Sequence, residues 1–130
     1  MVVAPFQINK LLDYNQQAEV FTAIELYYSP DDIAGSMLVF DVDFADDLQQ
    51  ALDTARLISS KLNTLNITHD CFFSGNKGFH IVVPTIIYGT KAHMMCKAIK
   101  LTSFNIAGID DHIYRERSLL RCEGSINFKS

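Results

Sequence analysis

The chain has 130 residues, 48% of them hydrophobic, with aromatic residues throughout and a net charge of -4. That size and composition fit a single folded domain with a real core and exclude a disordered chain. No stretch approaches the roughly 20 apolar residues of a membrane span. The opening residues lack the basic and apolar regions of a secretory signal, so an intracellular protein is expected, cytoplasmic or, in a eukaryote, nuclear. Residues 1–60 hold ten acids against two bases, and residues 61–130 nine bases against five acids. An acidic pole that binds metal and a basic pole that binds phosphate would give this asymmetry, and so would a solvated surface without function. The cysteines, Cys71, Cys96 and Cys122, match no zinc spacing and are expected to be buried or inert.

In chain order, Val20–Tyr28 reads as a strand and Ser29-Pro30-Asp31-Asp32 as a turn. Ser36–Phe44 is a strand whose first part is apolar on both faces, as suits an interior position. Asp46-Asp47 then cap a helix whose inner stripe is Leu48, Ala51, Leu52, Ala55, Ile58 and Leu62, ending at Asn63–Asn66. Cys71–Phe73 and Phe79–Pro84 are strands joined by the tight connection Ser74–Gly78. Lys91–Phe104 is a second helix with Met94, Met95, Ala98 and Ile99 inward, the methionines serving as core filler. Ser118–Arg121 is a short last strand. Helices alternating with strands indicate a layered α/β domain.

Chemistry is concentrated in three places. In Asp41-Val42-Asp43 the strand period of two puts both carboxylates on one face and Val42 on the other. Adjacent carboxylates repel, a divalent cation removes that cost, and hard oxygen ligands suit Mg2+ or Mn2+. Nucleotidyl transferases, phosphatases and nucleases all meet that description. In Ser74-Gly75-Asn76-Lys77-Gly78-Phe79-His80 the glycines permit a sharp turn and close approach to a ligand. Backbone amides, the Ser74 hydroxyl, Lys77 and His80 are phosphate donors. In Ile109-Asp110-Asp111-His112-Ile113-Tyr114 one acid can join Asp41 and Asp43, but an extended segment cannot turn both toward them. Arg115, Arg117, Arg121 and Lys129 follow, able to neutralise phosphate or to sit on a solvated surface.

These three stretches, in this order, resemble the archaeo-eukaryotic primase superfamily, which includes primase small subunits and the primase-polymerase domains of plasmid, phage and integrated-element replication proteins. Residues 36–130 carry the resemblance, ending in Leu120-Arg121-Cys122-Glu123-Gly124-Ser125-Ile126-Asn127-Phe128-Lys129-Ser130. The end-joining polymerases share the first two motifs but differ around the third, so the element-encoded proteins are the nearer likeness. The resemblance implies a compact α/β primase-like catalytic core with an RRM-like mixed sheet, occupying 1–130 as a single catalytic domain, either stand-alone or an excerpt of a longer replication protein. The superfamily's spacing selects Asp110 over Asp111. Asp41, Asp43 and Asp110 would be catalytic and would hold two divalent ions, Mg2+ or Mn2+. Ser74, Gly75, Lys77, His80, Arg121, Asn127 and Lys129 would bind the nucleotide. The implied activity is template-directed nucleotidyl transfer, as a DNA primase or polymerase. The partners would be nucleoside triphosphates, a single-stranded DNA template, and a helicase or accessory helical domain. A non-catalytic initiator module that binds nucleic acid and a metal-dependent nuclease are the competing expectations.

Overall fold

Twelve residues, Asp32–Asp43, form the central strand of the computed structural model, which describes residues 21–29, 31–74 and 77–121. This strand is β3, and it is buried along most of its length because its side chains are apolar on both faces. It follows β1 (Phe21–Ala23) and β2 (Glu25–Ser29), and precedes α1 (Leu48–Thr64), β4 (Asp70–Phe73), β5 (Gly78–Tyr88), α2 (Ala92–Ser103), a single 3₁₀ turn (Asp111–Ile113) and β6 (Leu119–Arg121). Four strands make an antiparallel sheet in the order β2-β3-β5-β4, and β1 pairs with β6 in a separate two-stranded ribbon. The α/β class and the RRM-like plan, a sheet with two helices packed on it, are as the sequence leads one to expect.

The two faces of β3 meet different partners. Leu38, Phe40 and Val42 pack with Ala51, Ala55, Ile58 and Leu62 of α1, with Ile81 and Val83 of β5, and with Cys96 and Phe104 at α2. Burying side chains such as Phe40, Ile58, Leu62 and Ile81, all essentially inaccessible, stabilises the fold by roughly 1.5–3 kcal/mol each. On the other face Val39 packs with Ile24 and Leu120, so the β1–β6 ribbon covers the middle of the sheet.

Helix α1 begins where its cap predicts. The Asp47 carboxylate accepts from the Gln50 amide at 2.9 Å, satisfying one of the orphan N–H groups of the first turn. Its buried residues Ala51, Ala55, Ile58 and Leu62 recur at helical spacing, as expected, but Leu48, also expected on the inner stripe, is exposed and Leu52 only partly buried.

Three expectations are corrected. The Val20–Tyr28 segment is two strands, broken at Ile24, which enters the core. β5 does not stop at Pro84 but continues to Tyr88. Leu38 faces Val83 while the preceding residue, Met37, faces Ile86, so Pro84 and Thr85 form a bulge. A proline without an N–H is tolerated there because no ladder bond is lost. In α2 the buried stripe is Ala92, Cys96 and Lys100, while Met94 and Met95 are 56% and 52% exposed and Ala98 is exposed as well; of the residues expected inward only Ile99 packs, partly buried, against the core. The methionines are therefore not core filler; a lysine holds the place on the inner face that an apolar residue was expected to fill. Of the cysteines, Cys96 is buried and Cys71 exposed, and Cys122 lies outside the described residues. Among the described residues no helix is long and apolar enough to cross a membrane.

Candidate active site

Asp41 and Asp43 stand at the open end of β3 on one face, with Val42 fully buried on the other. β5 runs along one side. Asp41 faces His80 and Asp43 faces Gly78 across the ladder, and side chains of directly opposed residues share a face. His80 is 8% exposed. Its Nε2 lies 3.4 Å from Asp41 Oδ1, and its ring meets the edge of Phe72 at 5.6 Å between centroids. Its Nδ1 is buried without a hydrogen-bond partner among the described residues.

The segment carrying the third motif lies on the other side of β3. Val42 and Ile109 form an antiparallel bridge. The Asp43 amide donates to Gly108 O at 2.9 Å, and the Asp110 amide donates to Asp41 O at 2.7 Å. With Val42 and Ile109 directed into the core, the alternation of an extended chain sets Asp110 on the same face as Asp41. Asp111 leads elsewhere, its Oδ1 3.2 Å from Lys100 Nζ. Gly108 makes the approach possible. Its φ is +95°, and a Cβ there would run into the Phe44 ring.

Asp43, Ala45, Lys77, Gly108, Ile109 and Asp110 line an open cleft of about 320 Å³. Asp43 Oδ1 is buried and has no hydrogen-bond partner among the described residues. A carboxylate oxygen taken from water without a donor is costly, and a hard cation is a fitting partner. The donor chemistry of the face therefore suits a divalent metal. Even so, among the described residues no three His, Cys, Asp or Glu side chains are gathered closely enough to form a cation cage. The Asp110 carboxylate is engaged locally: its Oδ1 accepts from the His112 amide at 2.9 Å and lies 2.7 Å from the ring Nδ1. Partial burial raises the Asp110 pKa, but these bonds and the electrostatic influence of His112 and Arg115 outweigh it, and the net shift is downward.

The Ser74–Gly78 connection is closed by its own backbone. The Ser74 amide donates to Gly78 O at 2.9 Å, and the Gly78 amide donates to Ser74 Oγ at 3.2 Å. Lys77 is exposed at the cleft. Gly78 is required by close packing, since a Cβ would overlap the Val42 carbonyl oxygen and lie 3.1 Å from its carbon.

The fold thus brings Asp41, His80 and Asp110 onto one face, and Asp43, Asp110 and Lys77 into one cleft. Ser74 sits at the base of the adjoining hairpin. Gly75, Asn127 and Lys129 lie outside the described residues, as does the side chain of Arg121, whose backbone pairs with Phe21 in the β1–β6 ribbon. Sequence reasoning missed His112 and Lys100. His112 had a signal: an aspartate commonly accepts from the amide two residues on. Lys100 had none, because its inward position follows only from the docking of α2.

The family model described as LigD, primase-polymerase domain, matches residues 7–103, and no curated protein and no solved structure matches the chain. The matched range contains Asp41, Asp43 and the Ser74–His80 stretch, while Asp110 lies beyond it. This is a class of catalytic nucleotidyltransferases. The chain belongs to the LigD primase-polymerase domain family, part of the archaeo-eukaryotic primase superfamily. The matching model is named for LigD, whereas the sequence placed the nearer likeness among element-encoded replication proteins; the superfamily is common to both. At the level of the family, the activity is primase-polymerase nucleotidyl transfer, divalent-metal dependent in general, with nucleic acid and nucleoside triphosphates as its usual partners.

Proposed function

We propose that this chain, as a single catalytic domain over 1–130, transfers nucleotides from nucleoside triphosphates to the 3'-hydroxyl of a strand paired with a DNA template. The observation that carries this reading is the register at the end of β3. Asp110 faces Asp41 from one side, His80 faces it from the other, and Asp43 opens into a cleft shared with Lys77.

Asp41, Asp43 and Asp110 are the groups that would hold the divalent ions, Mg2+ or Mn2+. Two such ions would sharpen the attacking hydroxyl and offset charge on the leaving pyrophosphate. The chain's own residues bind and orient. Lys77, at the rim of the cleft, places a cation against the triphosphate. Ser74 and, by the superfamily resemblance, Gly75 would supply neutral donors to the same phosphates. His80, flanked by Asp41 and Phe72, acts as a hydrogen-bond donor to phosphate rather than as the base. Arg121, Asn127 and Lys129 add nucleotide contacts from the C-terminal stretch. Positioning and charge neutralisation carry most of this kind of reaction.

The test is incubation with a primed and an unprimed single-stranded template, labelled NTPs or dNTPs, and manganese. Extension or dinucleotide synthesis, lost in Asp41→Ala, supports the proposal. Template binding without turnover would show a non-catalytic initiator module instead, and template degradation a nuclease. The two templates separate initiation from extension.

A further inference from the structure

Lysine is seldom buried unless its charge is paired. Lys100 is 7% exposed on the inner face of α2, and its Nζ lies 3.2 Å from Asp111 Oδ1. Neither residue has a part in the chemistry proposed above. Their placement gives them one.

Helix α2 is seated on β3. Phe104, at its C-terminal end, packs on Phe40 with ring centroids 4.8 Å apart, and Cys96 Sγ contacts Met37 O at 3.6 Å. The same strand carries Asp41, whose carbonyl accepts from the Asp110 amide at 2.7 Å. The contacts therefore close a ring: β3 to α2, α2 through Lys100 to Asp111, Asp111 to its neighbour Asp110, and Asp110 back to β3. Two backbone bonds hold the segment to β3, from the Asp43 amide to Gly108 O and from the Asp110 amide to Asp41 O, and both lie before the 3₁₀ turn. The ion pair at Asp111 ties the start of that turn to α2, and together with the His112 amide bond to Asp110 Oδ1 it sets the direction of the Asp110 side chain. Pairing with Lys100 also keeps the Asp111 carboxylate, half exposed, from competing with Asp110 for a cation.

We propose that Lys100, acting through Asp111, is the positioning residue that fixes Asp110 for divalent-cation binding; this rests on the assignment of Asp110 made above. Residues that hold a metal ligand in place typically change metal affinity by roughly 10-fold or more when lost.

The experiment is a titration of the full chain with Mn2+, free ion being read by electron paramagnetic resonance and folding by circular dichroism. Lys100→Met and Asp111→Asn should each weaken Mn2+ binding by roughly 10-fold. The double variant should be no weaker than either single one, because both remove the same contact. Lys100→Arg, which keeps the charge, should bind Mn2+ more tightly than Lys100→Met. If Lys100→Met does not fold, Asp111→Asn decides, its side chain being half exposed. Wild-type Mn2+ affinity in Asp111→Asn, or losses that multiply in the double variant, would overturn the inference. Asp110→Asn separates the two readings. If it binds Mn2+ as the wild type does, the assignment of Asp110 fails and this inference with it. If it loses binding while Asp111→Asn keeps it, only the inference fails.

Discussion

Gly78→Ala is the substitution whose effect follows most directly from the backbone. Gly78 lies opposite Asp43 on the ladder between β5 and β3. An added Cβ would overlap the Val42 carbonyl oxygen and sit 3.1 Å from Val42 C and 3.3 Å from Asp43 Cα. All three atoms are backbone, so no side chain can swing away, and the strands must part by about an ångström at the end that carries the acids. Overpacking of this kind costs about 1–3 kcal/mol, and weakening one ladder hydrogen bond adds about 1 kcal/mol. A total of about 2–4 kcal/mol in a domain of this size lowers Tm by roughly 8–15 °C. The same displacement moves Asp43 relative to Asp110, and an ångström of misplacement costs on the order of 100-fold in rate. Urea and thermal unfolding measure the first effect, and template-directed incorporation with manganese measures the second. A variant with the wild-type unfolding midpoint and wild-type incorporation would refute the reasoning.

Asp47→Ala removes the cap of α1 and should cost about 1 kcal/mol in urea unfolding; its carboxylate faces the Gln50 amide and does not line the cleft, so incorporation should be unchanged. Tyr114 OH is buried without a hydrogen-bond partner among the described residues, and burial pushes its phenol far above the ordinary range. Tyr114→Phe should therefore leave stability unchanged or raise it by about 1 kcal/mol, and a loss above about 1 kcal/mol would show that the hydroxyl has a partner. The lowered Asp110 pKa, where bonds from His112 outweigh partial burial, means that stability from this group is present above the ordinary carboxylate pKa and lost as pH falls through the depressed value. Metal-free thermal melts at falling pH should accordingly show a shallower acid limb for Asp110→Asn than for the wild type, and superimposable limbs would remove the contact from the account.

Elements governed by local rules were legible in the sequence. α1 announces itself through the Asp47 cap and the Ala51, Ala55, Ile58, Leu62 spacing, and β3 through an apolar run ending in acids. Elements governed by distant partners were not. Pro84 reads as a strand end because a proline lacks an N–H, and only the opposing Met37–Leu38 step reveals a bulge that tolerates it. The inner stripe of α2 was misread because Lys100 looks like a solvent residue until Asp111 is found beside it. The β1–β6 ribbon joins segments about a hundred residues apart, which no local pattern encodes. In the candidate site, the shared face of Asp41 and Asp43 follows from strand periodicity alone. The meeting of Lys77, Asp43 and Asp110 in one cleft needs the β4–β5 hairpin and the Ile109 bridge together.

The adjacent acids Asp110 and Asp111 show how one short segment serves both sides of the sheet. Asp110 has extended backbone, φ -74° and ψ 124°, and the 3₁₀ turn begins at the next residue. Alternation sends Asp110 to the open face with Asp41, while Asp111 meets Lys100 on the helical side. Because Gly108 and Asp110 bond to the backbone of Asp43 and Asp41, the spacing of the acid-bearing segments is set by the ladder and not by side-chain contacts. That arrangement brings like charges together, which is unfavourable without compensation. Two of the three acids have a histidine beside them: Asp41 has His80 and Asp110 has His112. Among the described residues Asp43 has none, and its Oδ1 is left there buried without a donor at the cleft. The imbalance is thus concentrated on the acid that opens toward Lys77, where a cation or a triphosphate-bound cation would relieve it most.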